Sequence, residues 1–299
     1  MERKTLRGII PAMVTPFDEN GDLNEEKTRK LVRYLLGEGV HGLFIAGTNG
    51  EAHLMNHDEV VDLTRIVLDE VNGRVPVISG AGRCSTRETI VLANRLKKLG
   101  VDYISLVSPS YLVPNQDDLY NHYKTIAENV DAPLILYNIP SQTGLTIMPQ
   151  TVEKLASIDN ICGIKDSGGD IEIQKQYIDI SRNNDFDVLN GSDSKILDTF
   201  KLGAVASVAA TANVIPKIEL DLYEYFLNGE MDKAQEMRNL MDPLRMNLKK
   251  TVAPCSMKKI LNLMGIDVGV PRLPITEAKG EIVDDFKDMI REYGFNLEN

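Results

Sequence analysis

Ile161-Cys162-Gly163-Ile164-Lys165-Asp166-Ser167-Gly168-Gly169-Asp170 holds the grammar of the whole chain in ten residues. An apolar run (161–164) ends in a charged pair, a glycine turn follows, and residues 171–181 then show helical periodicity. The next apolar run, 187–189, starts the cycle again. A short, uninterrupted apolar run bounded by turn residues is what a strand covered on both faces requires. A helix between two such strands makes them parallel neighbours joined by a right-handed crossover.

Working outward, the same unit recurs. Apolar runs fall at 8–14, 42–46, 75–79, 103–107, 134–137, 161–164, 187–189 and 204–208. Helices are predicted at 25–38 with Asn24 as N-cap, 57–71 with Asn56, and 86–99 with Ser85 before it and Gly100 after. Others are predicted at 117–129, 150–157, 171–181 and 194–201. Eight alternations suggest a closed (β/α)8 barrel, although a doubly wound open sheet carries the same local signature. After Thr211 the pattern is all helical, at 216–228, 231–249, 256–264 and 277–293, with one long irregular loop at 265–274. The division expected is therefore a barrel over 1–211 and a C-terminal helical region over 212–299 packed on it.

Composition removes several classes of function. The 299 residues carry 33 Lys+Arg against 44 Asp+Glu, a formal charge of −11, which argues against a nucleic-acid partner. No run reaches the ~18 apolar residues of a membrane span, and the N-terminus lacks a signal-peptide pattern, so the expected location is the cytoplasm. Cys84, Cys162 and Cys255 are odd in number and far apart, which fits a reducing compartment. The dinucleotide and P-loop glycine motifs are missing, as is the Gly-x-Ser-x-Gly elbow. His41, His53, His57 and His122 form no dense ligand cluster, so neither metal nor cofactor is expected.

In a barrel, reactive groups stand where strands end. Lys165 closes the sixth run, and an amine whose stem enters an apolar mouth is disfavoured as ammonium and available to attack a ketone. The bland alternative is a lysine paired with a strand-end carboxylate such as Asp166. Tyr137 closes the fifth run as either a proton shuttle or a buried phenol bonded to backbone. Gly47-Thr48-Asn49-Gly50 could cup an anion with its N–H groups or be a plain turn.

Together these motifs resemble the dihydrodipicolinate synthase / N-acetylneuraminate lyase family of class I aldolases, over essentially the whole chain. The resemblance runs from Gly8-Ile9-Ile10-Pro11-Ala12-Met13-Val14-Thr15-Pro16-Phe17 through Gly47-Thr48-Asn49-Gly50-Glu51, Tyr137-Asn138-Ile139-Pro140 and Gly163-Ile164-Lys165-Asp166 to the 265–274 loop. It implies a barrel with a helical extension and a homotetramer, a dimer of dimers. It implies an imine between Lys165 and pyruvate or a related 2-oxo acid, with Tyr137, Thr48 and Tyr111 as the proton relay. Tyr111 would come from a neighbouring subunit. Thr48 and Asn49 would hold the pyruvyl carboxylate by their backbone amides, while Asn49, Gln142 and Ser167 would face the distal substrate near Gly191.

Three departures refine the expected reaction. Gln142 stands where lysine-pathway synthases of this family carry an arginine that grips the aldehyde's carboxylate, and a neutral amide offers no charged fork. Cys84 and Ser110 replace the Asn and Tyr of the lysine-inhibition site, although His57 matches it. Gly191-Ser192-Asp193-Ser194 keeps one acid of the sugar-binding pattern of sialic acid lyases. The expected reaction is reversible cleavage of a 4-hydroxy-2-oxo acid, such as 4-hydroxy-2-oxoglutarate or a 2-keto-3-deoxy sugar acid, to pyruvate and an aldehyde. The alternatives are condensation of pyruvate with aspartate semialdehyde by a 4-hydroxy-tetrahydrodipicolinate synthase, N-acetylneuraminate cleavage, deoxy-sugar-acid dehydration, and non-catalytic binding of a 2-oxo acid.

Overall fold

A computed structural model describes residues 4–298. Its strands are β1 Gly8–Pro11, β2 Leu43–Ile45, β3 Val77–Gly80, β4 Tyr103–Val107, β5 Leu134–Asn138, β6 Ile161–Asp166, β7 Asp187–Asn190 and β8 Ala206–Ala209. They form one sheet in the order β1-β8-β7-β6-β5-β4-β3-β2. The His41 N–H donates to the Ile9 carbonyl at 2.9 Å, linking the two ends of that order. This is a (β/α)8 barrel. Nearly every strand residue is buried, as continuous apolar runs require.

Contacts gather the chain into two compact units. Among the described residues, one comprises 4–10, 41–44 and 75–209, and the other 11–40, 45–74 and 210–298. This grouping differs from the 1–211 and 212–299 division read along the sequence. The C-terminal region belongs to the same unit as two early segments, tied to them by bonds such as those of Arg272 to Gly21, Glu51, Leu54 and Glu59.

The first unit holds β3 to β8 and the greater part of β1 and β2. With them are the helices Thr86–Leu99, Gln116–Asn129, Pro140–Thr143, Pro149–Leu155, Ile171–Ser181 and Ile196–Leu202. Its parallel ladder places Tyr137 beside Lys165 and Asn138 beside Asp166. Gly163 is needed on β6, since a Cβ there would lie 2.4 Å from the Asp187 carbonyl oxygen.

The second unit holds the helices Glu25–Glu38 and His57–Val71 and the C-terminal set Pro216–Leu227, Met231–Leu240, Asp242–Leu248, Ala253–Leu263 and Glu281–Glu292. Asn24 caps the first through Lys27 N–H, and Asn56 forms a reciprocal capping box with Glu59 on the second. The single helix expected over 231–249 is instead two, divided at Met241. Pro243 lacks an N–H and cannot continue a helical ladder, but it fits the first turn of a new helix. No described helix is long and apolar enough to cross a membrane.

Candidate active site

Lys165 occupies the second-last position of β6 and is 4% exposed. Its Nζ lies 4.3 Å from the centroid of the Phe44 ring and 4.0 Å from that of Tyr137. Phe44 and Tyr137 meet edge to face at 6.0 Å, giving the amine an aromatic wall on two sides. Among the described residues, Nζ has no carboxylate or hydrogen-bond partner, so its expected alternative role as a partner of Asp166 does not hold.

Asp166 turns to other work because successive strand side chains point to opposite faces. Its Oδ1 accepts from Asn138 Nδ2 at 2.7 Å and from Gly168 N–H at 3.0 Å. Burial pushes its carboxyl above the usual range, while these hydrogen bonds pull the other way. Asn138 Oδ1 in turn accepts from Ile147 N–H at 3.0 Å. The pair therefore staples the ends of β5 and β6, and with them the segment that carries Gln142. The sequence assigns Asn138 no role, and Asp166 only the alternative one of pairing with Lys165. The signal was available, as each follows a candidate residue on neighbouring parallel strands.

Ser167 Oγ donates to the Gly191 carbonyl at 3.1 Å. A Cβ on Gly191 would lie 2.2 Å from Ser167 Oγ and 2.9 Å from Lys165 Cε, so the missing side chain is what leaves space for the lysine stem. Gln142 sits exposed in the short helix Pro140–Thr143. Tyr111 is 95% exposed with a left-handed φ of 77°, and exposed Leu112 and Val113 follow it. The first unit thus brings Lys165, Tyr137, Ser167 and Gly191 to neighbouring strand ends, while Tyr111 stands out at the surface.

Thr48 and Asn49 belong to the second unit, in the half-buried turn after β2. Glu51 N–H bonds the Thr48 carbonyl at 3.1 Å, and Thr15 Oγ1 donates to the Gly50 carbonyl at 2.6 Å. Among the described residues no three His, Cys, Asp or Glu side chains gather as a metal site.

A barrel bearing a buried, unpaired lysine beside a tyrosine at adjoining strand ends offers the groups that imine chemistry requires. The sequence profile of the dihydrodipicolinate synthetase family matches residues 5–293, and the chain belongs to that family. It is a class I, pyruvate-dependent carbon–carbon lyase. Among its relatives, the 4-hydroxy-tetrahydrodipicolinate synthase of Archaeoglobus fulgidus is 40% identical over 286 residues, 95% of this chain and 97% of the relative. That of Methanopyrus kandleri is 39% identical over 288 residues, 96% of this chain and 94% of the relative. The crystal structure of the dihydrodipicolinate synthase of Acinetobacter baumannii, complexed with pyruvate, superposes with a TM-score of 0.93 at 34% identity, covering 97% and 100% of the two chains.

Proposed function

We propose that Lys165 forms an imine with pyruvate and that the resulting enamine is joined to, or released from, a short aldehyde. The observation that carries this reading is the uncommitted, buried amine between Phe44 and Tyr137. Nζ adds to the ketone carbon and water leaves. The electron-rich ring faces stabilise the iminium cation that results. Loss of a methyl proton gives the enamine, whose carbon attacks the aldehyde, and hydrolysis returns the free amine.

Tyr137 is the proposed proton relay for the aldehyde oxygen, together with Thr48 and with Tyr111 of a neighbouring subunit. The exposed Tyr111, Leu112 and Val113 support a homotetramer built as a dimer of dimers. The resemblance assigns the pyruvyl carboxylate to the amides of Thr48 and Asn49, and the distal substrate to Asn49, Gln142 and Ser167 near Gly191. A cytoplasmic place of action belongs to the same proposal, supported by three free thiols.

For the aldehyde, the names of the relatives favour aspartate semialdehyde, and hence 4-hydroxy-tetrahydrodipicolinate synthesis, over the cleavage expected from the sequence. Cleavage of a 4-hydroxy-2-oxo acid stays as the second reading because Gln142 supplies no positive charge for a carboxylate. Family membership leaves no ground for the non-catalytic binder.

Trapping with pyruvate and borohydride, followed by peptide mass analysis, should place a reduced pyruvyl adduct on Lys165. Its absence from folded protein would overturn the imine. The choice of aldehyde follows from two assays run side by side. Consumption of aspartate semialdehyde with pyruvate supports the synthase, and pyruvate release from 4-hydroxy-2-oxoglutarate or 2-keto-3-deoxygluconate supports the aldolase.

A further inference from the structure

Glu51 and Lys258 form an ion pair of 2.6 Å in which neither side chain is more than 1% exposed. Such a pair is a poor source of stability, because removing two charges from water offsets most of their attraction. A physical reason for it must therefore lie in geometry. Glu51 directly follows the Thr48-Asn49-Gly50 turn, and its own backbone is left-handed at φ 56°, an uncommon state for a residue with a side chain. Both carboxylate oxygens are tied down: Oε1 to Lys258, and Oε2 to the Arg272 backbone N–H at 2.8 Å.

The partners are themselves fixed. Lys258 Nζ also donates to the Val270 carbonyl at 2.8 Å and lies 4.3 Å from the Phe17 ring centroid. Arg272 stacks on the same ring at 4.1 Å, donates to the Gly21 and Leu54 carbonyls, and pairs with Glu59, which completes the capping box of helix His57–Val71. Gly269 passes so close to the Phe17 carbonyl that a Cβ there would sit 1.6 Å from the oxygen. All these residues belong to one compact unit.

We infer that Lys258 and the Val270–Arg272 segment are positioning elements, which act through Glu51 to hold the Thr48–Gly50 turn in its anion-receiving conformation. This rests on the proposed reading that the turn's amides bind the pyruvyl carboxylate. The C-terminal extension is then part of the substrate-binding apparatus without touching substrate.

The charges facing Lys258 are the Glu51 carboxylate and the Arg272 guanidinium, the latter held by Glu59. Lys27 and Asp267 pair with each other on the neighbouring segment. Burial pushes the Lys258 ammonium down to about 8, against the opposing pull of Glu51. Loss of that proton removes the clamp's cation and leaves Glu51 without its partner.

The test is the neutral pair Glu51→Gln with Lys258→Met, which keeps volume and leaves no buried charge unpaired. Borohydride trapping should still label Lys165, with half-saturating pyruvate raised about tenfold, the loss of one charge-assisted hydrogen bond. Turnover at saturating pyruvate should fall much less. Half-saturation within twofold of the parent in a folded variant would overturn the proposal. The unaltered protein gives an independent reading: its half-saturating pyruvate should rise severalfold between pH 7 and 9.5. A flat or falling profile would also overturn it. Failure of the unaltered protein to give any adduct overturns the imine itself, and the clamp with it.

Discussion

Lys165 and Lys258 are both buried, and each holds its nitrogen 4.3 Å from a phenylalanine ring, Phe44 for one and Phe17 for the other. Around Lys258 the fold adds a carboxylate and a carbonyl, so two of the ammonium's three donors are engaged. Around Lys165 it adds only a second aromatic face. The same side chain is thus bound by acceptors in one unit and left uncommitted in the other. What separates them is whether a hydrogen-bond acceptor is supplied, since burial and ring contact are common to both.

The contrast breaks most sharply at Lys165→Ala. Turnover should drop by roughly 10⁴-fold or more, as expected when a covalent nucleophile is removed. The circular-dichroism spectrum should stay unchanged, because no ion pair is lost. A Lys165→Ala protein that retains activity would make the two lysines equivalent after all.

Lys258→Met, alone, should do the reverse. It strands Glu51 in the interior and should cost about 3–5 kcal/mol of stability. The urea midpoint would show it, while the pyruvyl adduct on Lys165 should still form in the folded fraction. An unchanged midpoint would mean that Glu51 finds water or another donor.

The smallest effect concerns His122, a buried neutral group in the first unit. Burial pushes its imidazole down to about 4 from the ordinary 6.5, and Thr86 Oγ1 is 2.8 Å from its Nδ1. Between those pH values the unfolded chain takes up a proton that the folded chain refuses. Its stabilising contribution is therefore complete above pH 6.5 and is lost as pH falls toward 4, by up to about 3 kcal/mol. Asp166 works in the other sense, since its raised carboxyl makes the folded state the better proton acceptor just above the ordinary carboxylate range. Melting scans from pH 7 to 4.5 should show a shallower decline in His122→Leu than in the parent. Parallel curves would remove His122 from the acid response.

Local patterns made much of this legible in the sequence. The predicted helices 25–38, 57–71, 86–99 and 171–181 end where the structure ends them, because N-cap residue and apolar stripe agree at each, with a glycine stop after the first and third. Ser85 is a partial exception, as its side chain makes no cap hydrogen bond. Lys165 and Tyr137 could be found because a polar residue closing an apolar run marks a strand end. The Phe44 wall could not, since β2 and β6 are not neighbours in the sheet and Phe44 meets Lys165 only once the strands close into a barrel. The Glu51 clamp was equally hidden: the Arg272 N–H that bonds it is 221 residues away, and no periodicity reports a contact of that separation.

That separation has a consequence in time. A ribosome delivers the chain from its N-terminus at about 5–20 residues per second, so roughly ten to forty seconds pass between the emergence of Glu51 and that of Lys258. During that interval the nascent chain has the turn, the acid and the Phe17 ring, but neither cation that will lock them. The second unit cannot close around this centre until Lys258 and Arg272 have been made. Any chain cut short before residue 258 would leave the acid unpaired, which gives quality-control proteases a ready difference between an unfinished copy and a finished one.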